Sequence, residues 1–418
     1  MANNKSPLNK PWAPMRKIDL SNFQVATSET ARDINRRIVL NLIRKHQPIS
    51  RADLSRHTGL QRSTVSAIAE QLISERWVAE GAVDNVPRGR KPTFLHLNSK
   101  RAGIFGINVR PFTINMALAD LEGRFLVQET MLTPASPDEF VEQISQRIHD
   151  LKKLYPEMSY EGVGVSLPGR VDLSSQRFVF APNLGWKRED LKEQLETTTG
   201  LPVELENEAN ACVLSEFWFG GHSESIRNII AVAVSEGIGV GMVLNGQLVR
   251  GASGLAGEFG HVAIKESGPK CGCGNQGCWE VYASNSAALR FYQQKASNRR
   301  KKSSAAIPPA TADEFDELIK LAEHGNPNAT EAIEEMAHHL GAGMSMLVTG
   351  LAPDLIVVVG EVTRLWDRVG AIINQEIQRR SFTHATTRVI ASGPAPLPRL
   401  RGIIAMVLQK RFGAPQTI

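Results

Sequence analysis

Apolar positions in the first hundred residues recur at helical spacing. In "TARDINRRIVLNLIRKH" they place Ile34, Ile38 and Leu42 on one face, which predicts an amphipathic helix. "PISRADLSRHTGL" predicts a shorter helix, with Ser50 as its N-cap and Gly59 as its stop. A third follows in "QRSTVSAIAEQLISERW", where Val65, Ile68, Ala69, Leu72 and Ile73 share a face. Two short extended pieces, "WVAEGAV" and "TFLHLN", flank "DNVPRGRKP", which proline and glycine keep out of regular structure.

From Ala102 the pattern becomes that of strands. "AGIFGINV", "TINMALADL" and "RFLVQETML" are strands joined by short turns, and a helix over 137–154 leads to the buried-type strand "GVGVSLPG". The helix "REDLKEQLETTTG", the strand "PVELE" and the helical "NEANACVLSEFWFG" follow. Near Asn228 a second strand group begins with "NIIAVAVS", "GVGMVLNG" and "QLVRG", and later come two helices, the strand "DLIVVVG" and a last helix, "PRLRGIIAMVLQKRF". A strand–turn–strand group followed by alternating helices and strands thus occurs twice. This is the pattern of a duplicated α/β unit with a cleft between two lobes.

A chain of 418 residues is too long for one ordinary domain. The expected division is a disordered tail over 1–28, a winged helix-turn-helix over 29–98, a first α/β lobe over 99–225 completed by the C-terminal helix 398–418, and a second lobe over 226–397. With 42% hydrophobic and 22% charged residues the chain can bury real cores. No apolar run reaches the roughly 18 residues of a membrane span, and the N-terminus has no apolar core of a secretory signal. Four cysteines do not make a disulfide framework in so long a chain, so a cytoplasmic location with reduced thiols is expected.

Charge divides the molecule. Residues 1–98 carry 16 Lys/Arg against 8 Asp/Glu, and the remainder carries 32 against 35. The basic excess sits entirely in the segment that holds the three helices, as a module for a polyanion would. A short helix, a glycine-bearing turn and a longer helix make a helix-turn-helix. The residues expected at operator DNA are Ser50, Arg51, Gln61, Arg62, Ser63, Thr64 and Ser66, whose side chains suit base edges and phosphates. The following hairpin reads as a wing, with Arg88, Arg90 and Lys91 at its tip, near a phosphate backbone or a minor groove. The basic run "SNRRKKSSAAIPPA" (297–310) reads as a surface loop instead.

The densest candidate chemistry is "GEFGHVAIKESGPKCGCGNQGCWE", 257–280. His261, Cys271, Cys273 and Cys278 supply four ligands of the types that tetrahedral Zn2+ prefers. Four ligands close the shell and leave no place for an activated water, so the zinc expected here is structural. The remaining cysteine, Cys212, lies in an apolar helix and reads as core.

The stretch 234–262 with "CGCGNQGCWE" resembles the signature of the ROK family, which groups sugar-responsive repressors and sugar kinases. Its GE-x-GH and C-x-C-G-x-x-G-C-x-E boxes are intact, and "SLPGRVD", "APNLGW" and "ENEANA" match further blocks. The resemblance covers about residues 100–418 and implies a two-lobed, actin-like, ribonuclease-H-like body. With the helix-turn-helix in front, the chain looks like the repressor branch. The resemblance further implies that the zinc supports a sugar pocket, that His261 can serve both zinc and a sugar hydroxyl, and that Gly169, Arg170, Asn207, Glu208, Glu258 and Glu280 are sugar-binding.

Two departures bear on catalysis. Kinases of this fold carry an Asp-x-Gly-Gly-Thr phosphate loop where this chain has "INVRPFT", with Asn108 in place of the Asp and Arg110-Pro111-Phe112 in place of Gly-Gly-Thr. They carry Asn-Asp, the aspartate being the general base, where this chain has Asn207-Glu208. The expectation is therefore a repressor that is not an enzyme, with a sugar or sugar-phosphate effector in the interlobe cleft, acting as a homodimer or homotetramer. The alternatives are an ATP-dependent sugar kinase with an appended DNA-binding domain, and a body that binds a partner protein.

Overall fold

The computed structural model describes residues 28–81, 93–172, 177–180, 184–186, 190–223, 225–296, 311–381, 386–393 and 397–413. The chain forms two compact units. The smaller runs to Asn98 and takes in the chain again from Arg411, and the larger is Ser99–Lys410.

The smaller unit packs helices α1 (Ser28–His46), α2 (Arg51–Thr58) and α3 (Arg62–Ser74) with a three-stranded antiparallel sheet. Its strands are β1 (Ile49–Ser50), β2 (Val78–Gly81) and β3 (Phe94–Leu97), in the order β1-β3-β2. Ser50 caps α2 as expected. Its hydroxyl accepts from the Asp53 amide at 3.1 Å, and the Asp53 carboxylate accepts from the Ser50 amide at 3.4 Å, a reciprocal capping box. Gly59 closes α2 at φ 71°, a conformation only glycine adopts freely.

The expected face of α1 needs correction. Val39, Leu40 and Ile43 are its buried residues, Ile34 and Leu42 are only half-buried, and Ile38 is 43% exposed. Both candidate faces have helical period, and packing against α2, α3 and β3 selects the one that starts a residue later. On α3, Val65, Ile68, Ala69 and Leu72 are buried as expected, with Ile73 half-buried at the edge.

The larger unit contains two five-stranded sheets of matching topology. The first has the order β10-β7-β4-β5-β6, from β4 (Ala102–Val109), β5 (Thr113–Ala119), β6 (Phe125–Leu132), β7 (Ser159–Leu167) and β10 (Val203–Asn207). In sequence between them lie α4 (Pro137–Leu154), the hairpin β8 (Arg170–Asp172) and β9 (Arg177–Phe180), and α5 (Leu191–Thr199). After α6 (Glu208–Phe219) the second sheet has the order β13-β12-β11-β14-β15, from β11 (Ile229–Val234), β12 (Ile238–Leu244), β13 (Gln247–Leu248), β14 (Leu355–Val359) and β15 (Arg388–Ala391). Its helices are α7 (Glu280–Ala283), α8 (Asn285–Ala296), α9 (Ala312–Glu323), α10 (Pro327–Leu351) and α11 (Trp366–Arg380), and α12 (Pro398–Phe412) ends the described chain's regular structure.

In each sheet three antiparallel strands are followed by two that run parallel to the first. This is the duplication that the sequence pattern announced. Strands β11 "IIAVAV" and β14 "LIVVV", which pair in parallel, are buried along their whole length, as covered parallel sheets require. Helix α12 lies on the first sheet, where Gly106 and Gly164 leave room for Leu400, Ile403 and Ile404.

Candidate effector site and nucleic-acid interface

In the smaller unit, Gln61, Arg62, Ser63 and Thr64 at the start of α3 are exposed and Ser66 is half-buried. Among the described residues no ion pair engages Arg62. Ser63 and Thr64 line a groove of about 490 Å³ between α1 and α3, with Arg32, Asn35 and Gln71. Two expected contacts have other partners: the Ser50 hydroxyl serves the α2 cap, and Arg51 pairs with Glu80 at 2.8 Å. Arg88, Arg90 and Lys91 lie outside the described residues.

The cysteine loop returns on itself through a bridge between Ala263 and Cys278, which brings His261 to the thiols. The ligand atoms of His261, Cys271, Cys273 and Cys278 all lie within 4.8 Å of one another. Cys273 and Cys278 sulfurs are 3.8 Å apart, and Cys271 Sγ is 3.5 Å from His261 Nδ1. Zn–S bonds of about 2.3 Å and Zn–N bonds of about 2.0 Å give tetrahedron edges of about 3.8 Å and about 3.5 Å. The four donors therefore fit such an ion and can bind a metal. The Cys271 thiol and then Glu280, whose Oε1 is 3.3 Å from Nδ1, push the imidazole pKa up to about 11, which marks the pocket as one that attracts positive charge. The loop is anchored by Trp279, fully buried, whose indole donates to the His339 carbonyl at 2.9 Å.

Around this cluster stand the carboxylates expected at a sugar. Glu258 Oε2 lies 3.7 Å from His261 Nε2, the ring nitrogen turned away from Cys271, and its side chain is half exposed. Glu280 accepts from Cys271 Sγ at 2.8 Å and packs against Gly237, where a Cβ would come within 2.6 Å of its Oε2. Gly257, at φ 100°, seats the short helical turn Glu258–His261 on β12, with the Val240 carbonyl where a side chain would be.

Strand β12 also meets α6, where the second group of expected residues begins. Gly239 and Gly241 let Ala209, at the start of α6, approach the strand. Asn207 caps α6 by accepting from the Ala209 amide at 2.7 Å, and donates to the Gly169 carbonyl at 2.7 Å. The structure thus brings Gly169 to Asn207, and Glu258 and Glu280 to His261. The Arg170 side chain lies outside what is described.

Glu208 is committed elsewhere than expected. Its Oε2 is 2.9 Å from Nε of Arg399, on α12, which is 8% exposed. Burial, the largest influence, would lower the pKa of Arg399, but Glu208 together with Cys212, Glu361 and Glu236 raises it and holds the guanidinium charged. Arg399 gives no signal in the sequence, because nearly two hundred positions separate it from its partner. A second pair of this kind is Arg250 with buried Glu206, at 2.9 Å. Asn108 is also buried, and accepts from Ser166 Oγ at 2.7 Å. Cys212 is core, as read from the sequence, and burial pushes its thiol up to about 12.

A winged helix joined to a duplicated α/β body with a cluster of one histidine and three cysteines defines a regulator class. Residues 32–79 match the winged helix-turn-helix DNA-binding family, and residues 104–409 match the ROK family. The chain belongs to the ROK family, and its combination of body and winged helix is that of the family's sugar-responsive transcriptional repressors. It is 34% identical to the xylose repressor of Bacillus subtilis strain 168, over 86% of this chain and 91% of that protein. Among solved structures it is similar to a ROK family transcriptional regulator, a homologue of the E. coli MLC protein. That match has a TM-score of 0.77 and 25% identity over 91% of this chain and 98% of the other. It is also similar to a ROK family glucokinase from Streptomyces griseus in complex with glucose and AMPPNP, with a TM-score of 0.63 and 29% identity. This match spans 73% of the present chain and 99% of that one. No helix among the described residues is long and apolar enough to cross a membrane.

Proposed function

We propose that the protein represses transcription by seating α3 on operator DNA and that a sugar bound beside the histidine–cysteine cluster changes its grip. The observation that carries this reading is the Glu258–His261–Glu280 array at the metal cluster of a chain that also carries a winged helix. Carboxylates beside an imidazole suit vicinal hydroxyls, and His261 turns one nitrogen to the thiols and the other toward Glu258. Zinc fits the donor set, and His261, Cys271, Cys273 and Cys278 would hold it as a closed structural centre. Gly169 and Asn207 complete the sugar-binding half of the cleft in this reading. Paired copies of α3 on a near-palindromic operator imply a homo-oligomer, so a modest change in the body alters their spacing.

Catalysis is not part of the proposal. Glu208, at the position of the kinases' general base, is paired with a buried guanidinium, and Asn108 presents a neutral amide where they carry an aspartate. Titration calorimetry with xylose, glucose and N-acetylglucosamine, beside a gel shift with the protein's own upstream DNA, tests the reading. One sugar is expected to bind and to shift the operator complex. Sugar-dependent ATP turnover abolished by Glu208→Ala would replace it with the kinase reading. On the DNA side, Arg62→Ala is expected to weaken operator binding by about 1–3 kcal/mol in a sequence-dependent way, and an unchanged gel-shift titration would remove Arg62 from the interface.

A further inference from the structure

Where β4, β11 and β14 end, three turns face one another: Arg110–Phe112, Ser235–Gly237 and the helical turn Glu361–Leu365. In α/β folds the crevice outside the carboxyl ends of strands is where ligands bind. Here it is crossed by charge. Arg110 Nη2 donates to Glu236 Oε1 at 2.8 Å, and its Nη1 lies 3.8 Å from Glu361 Oε1. The three side chains are 18%, 15% and 27% exposed, so solvent screens them less than a surface pair.

Each member is held from behind. Thr133 Oγ1 donates to the Arg110 carbonyl at 2.7 Å, and Ser286 Oγ donates to the Glu236 carbonyl at 3.0 Å. Asn285 donates through Nδ2 to Glu361 at 3.2 Å and through its amide to the Ser235 carbonyl at 2.8 Å. Arg399 feels the same two carboxylates and is already paired by charge with Glu208. Two guanidiniums therefore serve three carboxylates, and Arg110 is the member that comes from the first sheet.

We infer that Arg110, Glu236 and Glu361 form a latch that ties the strand-end turns of the two sheets together and fills the space a polyphosphate would need between them. The latch goes beyond the effector reading: it sets how readily the cleft opens, without sugar or nucleotide. Removing Arg110 also leaves Glu236 and Glu361 with only the field of Arg399, so it costs more than removing one carboxylate.

Hydrogen–deuterium exchange on the full chain, with neither sugar nor DNA present, tests this independently of the effector. In Arg110→Met, exchange at 234–238 and 360–365 is expected to rise about tenfold, the size a partly buried hydrogen-bonded ion pair carries. Glu236→Gln, which keeps Arg110 beside Glu361, is expected to produce a smaller rise, and the double variant no more than Arg110→Met. Unchanged exchange in both single variants, or additive effects in the double, overturns the latch. If Arg110→Met fails to fold, Glu236→Gln and Glu361→Gln carry the same comparison. Millimolar AMP-PNP with magnesium is expected to leave the melting temperature unchanged in the wild type. A nucleotide-induced rise would show that the space is open and overturn that part of the inference.

Discussion

His261 owes its position to Cys271, ten residues on, and to the bridge that folds the loop between them. That cluster was legible because metal chemistry restricts residue types and spacing more tightly than packing does. Cys273→Ser is expected to release the metal, read with a chromogenic chelator, and to abolish the sugar response in calorimetry. A normal sugar response after the metal is lost would break the link between cluster and pocket. Glu376 shows what the same reading misses. Burial works against its charge, but hydrogen bonds from Arg380, Arg379 and His338 prevail and hold its pKa at about 2. A carboxylate depressed below its unfolded value contributes stability above that value and loses it as pH falls toward about 2. Since Arg379 and Arg380 are 64% and 47% exposed, the contribution is discounted for screening to about 1–2 kcal/mol. Glu376→Gln is accordingly expected to lower the urea midpoint at pH 7, with the gap closing as pH falls from the ordinary glutamate range, 4.5, toward about 2. A gap that does not depend on pH would assign the loss to packing.

Elements were legible where period and cap agreed. Ser50 and Gly59 delimit α2 because the orphaned amides and carbonyls of a short helix need partners, and those residue types supply them. Ser50→Ala should cost about 1 kcal/mol, measured as a shifted denaturation midpoint of the smaller unit. The two-residue β1 leaves no trace in the pattern, since Ile49–Ser50 is too short to show alternation. The face of α1 departs from expectation because its sequence offers apolar residues on two overlapping stripes and only tertiary contact chooses. Helix α10 hides a further dependence. A Cβ on Gly343 would lie 1.9 Å from the Trp279 ring, so the residue that follows the last cysteine is clamped against the helix. Gly343→Ala is expected to destabilise the larger unit by about 1–3 kcal/mol and to weaken metal retention with it. A normal melting curve would show that the ring can move aside.

At the scale of the molecule, the duplicated sheet order was visible in the repeated strand–turn–strand grouping, because antiparallel hairpins and buried parallel strands write different patterns. The pairs that bridge distant segments, Glu208 with Arg399 and Arg110 with Glu236, were not, since a lone charge in a sequence does not name its partner. Helix α12 holds another such contact. Phe412, its last residue and 3% exposed, belongs to the smaller unit, where its ring meets Trp77 edge-on at 6.2 Å and lies 5.5 Å from Arg44. Phe412→Ala is expected to cost the smaller unit about 3 kcal/mol, seen by calorimetry as a lower transition and by gel shift as weaker operator binding. Unaltered DNA affinity would make the ring dispensable.

This contact also orders events during synthesis. Translation at ~5–20 residues per second delivers helices α1 to α3 early and the ring that finishes their core only after the whole larger unit has been made. For tens of seconds the nascent head therefore lacks one wall. A polypeptide released before that residue would carry a DNA-reading end whose core lacks this ring.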